Sequence, residues 1–200
     1  MMNLISKKEK DWIESICYRY SINNYYINSD GSIDVSGSVE LTGRGLTKLP
    51  LVFNIVTGGF HCTSNKLTSL EGAPRKIGGS LYCGDNKLTS LVGGPTTVGG
   101  SFRCSSNQIT SLEGAPTVVV GDFSCQRNKL SSTYTGYADL EIGRAVYLHG
   151  NNLPLQFDDN HDHMALVLKY QRHFEIWNDD LTLNVNNFND LITEIKDGLK

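Results

Sequence analysis

Long apolar runs are missing from these 200 residues: no stretch approaches the ~18 consecutive apolar side chains that a membrane-crossing helix needs. The first twelve residues, MMNLISKKEKDW, place charges where a secretory leader needs its apolar stretch, and the expectation that follows is a cytoplasmic protein. Strong charge of either sign is also missing. The formal net charge is −3, divided as −1 over 1–45, +3 over 46–155 and −5 over 156–200. Neither the mildly basic middle nor the acidic end has the clustered basic footprint of a nucleic-acid binder, so no nucleic-acid partner is expected. No GxxxxGK[ST] phosphate loop and no G-x-S-x-G nucleophile elbow occurs, and the Gly-Gly pairs precede strand-like residues where a phosphate loop would open a helix. No catalytic constellation is legible, and the chain is read as a non-enzyme that needs no cofactor.

What is present is a period. LTSLEGAPRKIGGSLYCGDNK starts at Leu67, LTSLVGGPTTVGGSFRCSSNQ at Leu88 and ITSLEGAPTVVVGDFSCQRNK at Ile109, 21 residues apart. Cys62, Cys83, Cys104 and Cys125 keep that spacing, as do Asn65, Asn86, Asn107 and Asn128. A fixed period of this length marks a solenoid whose units bury their apolar faces only against neighbours. The expected fold is an α/β solenoid of mostly β character. It divides into a helical cap over 1–24, an array over 25–155 with a degenerate first turn and a two-residue insertion in its last repeat, and a second helical cap over 156–200.

Within a repeat, Val98, Gly100, Phe102 and Cys104 alternate and point to one side of a strand, while Gly99, Ser101, Arg103 and Ser105 point to the other. The glycines at the inward position (Gly58, Gly79, Gly100, Gly121) suggest close approach of the opposite wall. The cysteines would stack at the ~4.8 Å strand spacing, wider than a relaxed disulfide wants, and are read as reduced apolar filler. The asparagines sit at the bend, where a side-chain amide satisfies turning backbone in its own coil and a neighbour. Both ladders are assigned to structure.

The caps are read from helical signals. Ser6 and Glu9 form a capping box, followed by Trp12, Ile13, Ile16, Cys17 and Tyr20 on one face. At the far end, Asp158-Asp159 is read as the start of a helix through HMALVLKYQRHFEIW, and Val185, Phe188, Leu191, Ile192 and Ile195 as the stripe of another. His161-Asp162-His163 beside those aspartates invites a metal site, but an acidic helix start accounts for the same letters, and no metal is expected. Lys66, Lys87 and Lys129 follow their asparagines in register and read as a solvated edge interrupted by Gln108.

The segment F-x-C-x-x-N-x-L-x-x-L resembles the strand-and-turn segment of leucine-rich repeats, and its 21-residue length resembles the short bacterial class. The wording LTSLEGAP…GGxFxCxxNKL is similar to small repeat proteins encoded by bacteriophages, helical caps included. The resemblance implies a short parallel sheet on one face, extended turns on the other, and action on a protein of the bacterial host.

Function is then sought where the register does not repeat. The outward row runs Glu40, His61, Tyr82, Arg103, Ser124, Tyr147, and the row beside it Thr42, Thr63, Gly84, Ser105, Gln126, His149. Positions that change from level to level are free for recognition, and Tyr and Arg are enriched at interface hot spots. His61, Tyr82, Arg103, Ser124, Gln126, Tyr147 and His149 are therefore the expected partner-binding residues. The alternatives are an effector role for the C-terminal helices, with Tyr170 and Trp177 exposed, a structural virion component, and an enzyme.

Overall fold

Every 21-residue register forms one coil, and coil stacks on coil through two ladders of short strands. The computed structural model describes residues 5–134 and 140–199. The chain enters through a helix, α1 (Lys7–Arg19), and a hairpin, β1 (Tyr25–Ile27) with β2 (Ile33–Val35). The coils follow as β3 (Val39–Glu40), β4 (Phe53–Val56), β5 (Phe60–His61), β6 (Lys76–Ile77), β7 (Leu81–Tyr82), β8 (Thr97–Val98), β9 (Phe102–Arg103), β10 (Val118–Val119), β11 (Phe123–Ser124), β12 (Glu141–Ile142) and β13 (Val146–Tyr147). A seven-stranded sheet runs β1-β2-β4-β6-β8-β10-β12 and a six-stranded sheet runs β3-β5-β7-β9-β11-β13. Among the paired strands of the described residues, β1–β2 is antiparallel and the other pairs are parallel. The molecule is a mostly-β parallel solenoid with helices at both ends, as the period implies.

The second sheet is the main departure from the sequence reading. The stretch from Val98 to Cys104 is not one strand. It breaks between β8 and β9 at Gly99-Gly100-Ser101, and the residues before the glycines pair with their own counterparts in the adjacent coils. The glycines also have a different cause from the one expected. A Cβ on Gly79 would lie 2.8 Å from the Gly58 carbonyl carbon and 2.8 Å from the Gly59 nitrogen. The close neighbour is therefore the preceding coil, along the stack, and not the opposite wall. Gly79→Ala is expected to lower stability by about 1–3 kcal/mol, because the obstacle is backbone that cannot rotate away. Chemical denaturation measures it.

The interior is a column of like residues. Phe60, Leu81, Phe102 and Phe123 occupy one row and are fully buried, with the Phe102 and Phe123 rings stacked at 5.4 Å. Burial of each such side chain contributes about 1.5–3 kcal/mol. The five cysteines are buried and unbridged. In the last coil Val118 pairs with Glu141 and Phe123 with Val146, so the two inserted residues precede Glu141. The expected outer-wall bulge falls largely on 135–139, outside the described residues.

The N-terminal capping box is complete: Ser6 Oγ accepts from the Glu9 N–H at 3.2 Å and Glu9 Oε2 accepts from the Ser6 N–H at 2.8 Å. Ile13, Ile16 and Cys17 are buried, but Trp12 is 54% exposed, one step off the stripe that faces the first coil. At the other end the first helix starts earlier than read. Pro154 precedes α2 (Leu155–Asp159), so Asp158 and Asp159 close that helix instead of opening one. A 3-10 turn (His161–His163) leads to α3 (Met164–Tyr170), which stops well before Trp177. The last helix, α4 (Val185–Lys196), buries Phe188, Leu191, Ile192 and Ile195, while Val185 is exposed. Tyr170 and Trp177 are packed against the core, and the Trp177 Nε1–H donates to Gln171 Oε1 at 3.0 Å. Neither is the exposed aromatic that the sequence suggests.

Candidate binding face

Parallel pairing without offset places one outward side chain of the six-stranded sheet directly over the next: Glu40 on His61, His61 on Tyr82, Tyr82 on Arg103, then Ser124 and Tyr147. Four of these form a continuous chain of contacts. The Glu40 carboxylate lies 3.0 Å from His61 Nδ1 and also accepts from the Thr42 N–H at 3.1 Å. The His61 ring stacks on Tyr82 at 4.8 Å with a 10° tilt, and the Arg103 guanidinium sits 5.2 Å from the centre of the Tyr82 ring. Burial would raise the Glu40 pKa, but the bonds from Thr42 and His61 outweigh it and leave the carboxyl below its usual value. An ordered stack of this kind loses little side-chain freedom when a partner arrives.

Below Arg103 the row is recessed. Ser124 is only 7% exposed, and its hydroxyl is 2.9 Å from that of Ser105. Tyr147, 44% exposed, rises on the next level. Arg103 and Tyr147 thereby bound an open groove of about 500 Å³, with Ser124 as its floor and Asp122 and Gln126 to its sides. The predicted residues divide accordingly. Tyr82, Arg103, Ser124, Gln126 and Tyr147 line the groove. His61 stacks on Tyr82 outside the groove, and His149 lies in a separate cleft, about 380 Å³, against the C-terminal cap. Ser124 is floor and not a projecting contact, because its small side chain is shaded by the larger ones above and below.

Six lining residues were not among those expected: Thr63, Gly84 and Ser105 from the row beside the outward one, Asp122 from the other flank, and Asp85 and Ser106. Asp85 and Ser106 belong to the bend before the asparagine, and both have left-handed backbone (φ 52° and 57°). That bend brings them beside the face. The same left-handed position recurs at Gly43, Ser64, Arg127 and Gly150, and glycine at two of the six levels is the sequence signal for it.

The comparisons with family models, curated proteins and solved structures returned no match. Among the described residues, no group of three or more His, Cys, Asp or Glu side chains is placed to hold a metal ion. His161 contacts Asp162 at 3.3 Å and the Asp158 carbonyl at 3.1 Å, both within the cap turn. No helix among the described residues is long and apolar enough to cross a membrane.

Proposed function

We propose that this chain is a non-catalytic protein-binding module that engages its partner through the outward face of the six-stranded sheet. The observation that carries the reading is the pre-stacked row Glu40–His61–Tyr82–Arg103 opening into the groove bounded by Tyr147. A solenoid builds such a surface cheaply: the interior letters fix the coil, and one outward position per level is left to vary. The likeness of the repeat wording to bacteriophage-encoded proteins supports a bacterial host protein as the partner, acted on in the host cytoplasm.

The test compares tagged protein with a Tyr82→Ala, Arg103→Ala, Tyr147→Ala variant as bait in bacterial lysate. These three side chains are outside the core, so the variant should melt within a few degrees of the parent. Loss of the captured partner by the folded variant is expected. Full retention would move the interface to the caps. A specific observation favours that second reading: the larger cleft, about 820 Å³, lies in the C-terminal cap beside Gln171 and Trp177.

A further inference from the structure

The long edge of the strand face that runs along the asparagine bends is basic. Arg44, Lys66, Lys87, Arg127 and Lys129 are all exposed there, against one carboxylate, Asp85. With Arg103 on the face itself, the surface carries six cations. None of the six has a carboxylate at ion-pair distance among the described residues. Lys129 Nζ donates to a neutral group, Gln108 Oε1, at 3.3 Å. Only Asp122 and Asp85 oppose this charge at the groove, and Glu40 is already engaged with His61 and Thr42.

We infer that the occupant of this face is an acidic segment of a protein partner, with a carboxylate seated on Arg103 and further acidic side chains along the rim. The inference rests on the protein-binding reading above and gives it a chemistry. Arg103 is suited to a carboxylate because its guanidinium, placed against the Tyr82 ring, carries a planar fork of donors that matches a carboxylate bidentately. Ser105, Gln126 and the Tyr147 hydroxyl offer further polar groups around it. A nucleic acid would also be drawn by the cations, but single strands are held by bases stacking on open aromatic faces. Of the two tyrosines lining the groove, Tyr82 has neither ring face open, since His61 covers one and Arg103 the other, and Tyr147 alone makes no run of stacking platforms. The rim is also interrupted at Gln108, so it does not follow a phosphate backbone continuously.

The measurement is fluorescence anisotropy of the full chain with three labelled probes: an oligo-glutamate peptide, an oligo-lysine peptide and an oligothymidylate. At low salt the oligo-glutamate peptide should bind tightest, with affinity falling as salt is raised to ~0.15 M, where screening is strong. Arg103→Gln should weaken it about tenfold or more, the usual worth of a charged hydrogen-bonded anchor. Lys66→Gln with Lys87→Gln should weaken it several-fold through the field alone. Unchanged melting curves establish that both variants fold. Equal binding of the peptide by the parent and Arg103→Gln would overturn the proposal, as would tighter binding of the oligothymidylate. Self-association of the full chain in sedimentation, lost in Arg103→Gln, would overturn it in favour of a second copy as occupant. If the peptide fails while lysate capture still depends on Tyr82, Arg103 and Tyr147, the acidic chemistry is wrong and the face is right. If both fail, the face itself is wrong.

Discussion

Asn107→Leu, which keeps the branching and heavy-atom count of the side chain, is expected to cost about 2–4 kcal/mol, because it strips hydrogen bonds from buried backbone. Asn107 is 9% exposed. Its Nδ2 donates to the Cys83 and Cys104 carbonyls at 3.1 and 3.0 Å, and its Oδ1 accepts the Leu88 N–H at 2.9 Å. That N–H would lose its partner. The carbonyls fare better, since each accepts from two successive asparagines: Cys83 also from Asn86 at 3.2 Å, Cys104 also from Asn128 at 3.1 Å. A sharper test follows from this sharing. Asn86→Leu with Asn107→Leu leaves the Cys83 carbonyl with neither amide, so the double variant should cost about 1 kcal/mol more than the sum of the singles. Denaturant unfolding of the four proteins measures that coupling. Simple additivity would mean that the asparagines act on their own turns and not as a ladder. A fall in the denaturant slope would instead show the array splitting at the weakened coil.

The same ladder explains why the interior is legible in the amino-acid sequence. Cysteine and asparagine recur without drift because every coil meets the same neighbours. A position held by packing inside a stack has one solution, repeated. The second sheet is hidden for the opposite reason. Its strands, such as Lys76–Ile77 and Thr97–Val98, send a single side chain inward each, too little for an alternation to show. The Gly-Gly pair is visible, but alternation places it inside a strand, when its effect is to end one. Trp12 shows a similar limit: helical periodicity gives the direction of the stripe, while the width of the coil end decides how much of it is covered.

For the binding face, the sequence pattern picks out five of the groove residues, because outward positions alternate reliably with the buried ones. It cannot rank them by exposure. Ser124 and Tyr147 occupy equivalent positions, yet one is floor and the other wall, since reach depends on side-chain length relative to the next level. Nor does it reveal the stack from Glu40 to Arg103. Four unrelated letters cooperate only because parallel pairing sets them directly above one another.

Alkaline unfolding should show the largest effect of all. Burial pushes the Cys62 thiol to about 12 and holds those of Cys83 and Cys104 well above the ordinary 9.0, with neighbouring thiols adding to the rise in the latter two. Burial likewise raises Cys17 to about 11 and lifts Tyr25 beside it. The folded chain therefore keeps protons that the unfolded chain releases. Below pH 9 the stability linked to these thiols is fully present, and it is lost as pH rises from 9 toward 12. Each shifted thiol contributes a slope of at most about 1.4 kcal/mol per pH unit, and the slopes of the buried thiols add in the same direction. Guanidinium unfolding between about pH 8 and 11 measures the slope, and Cys83→Ala should make it shallower. A slope unchanged in that variant would assign the alkaline loss to tyrosine and lysine. Thiol reagents give the matching result at mildly alkaline pH: no alkylation while the coils are stacked, and five modified cysteines once they separate.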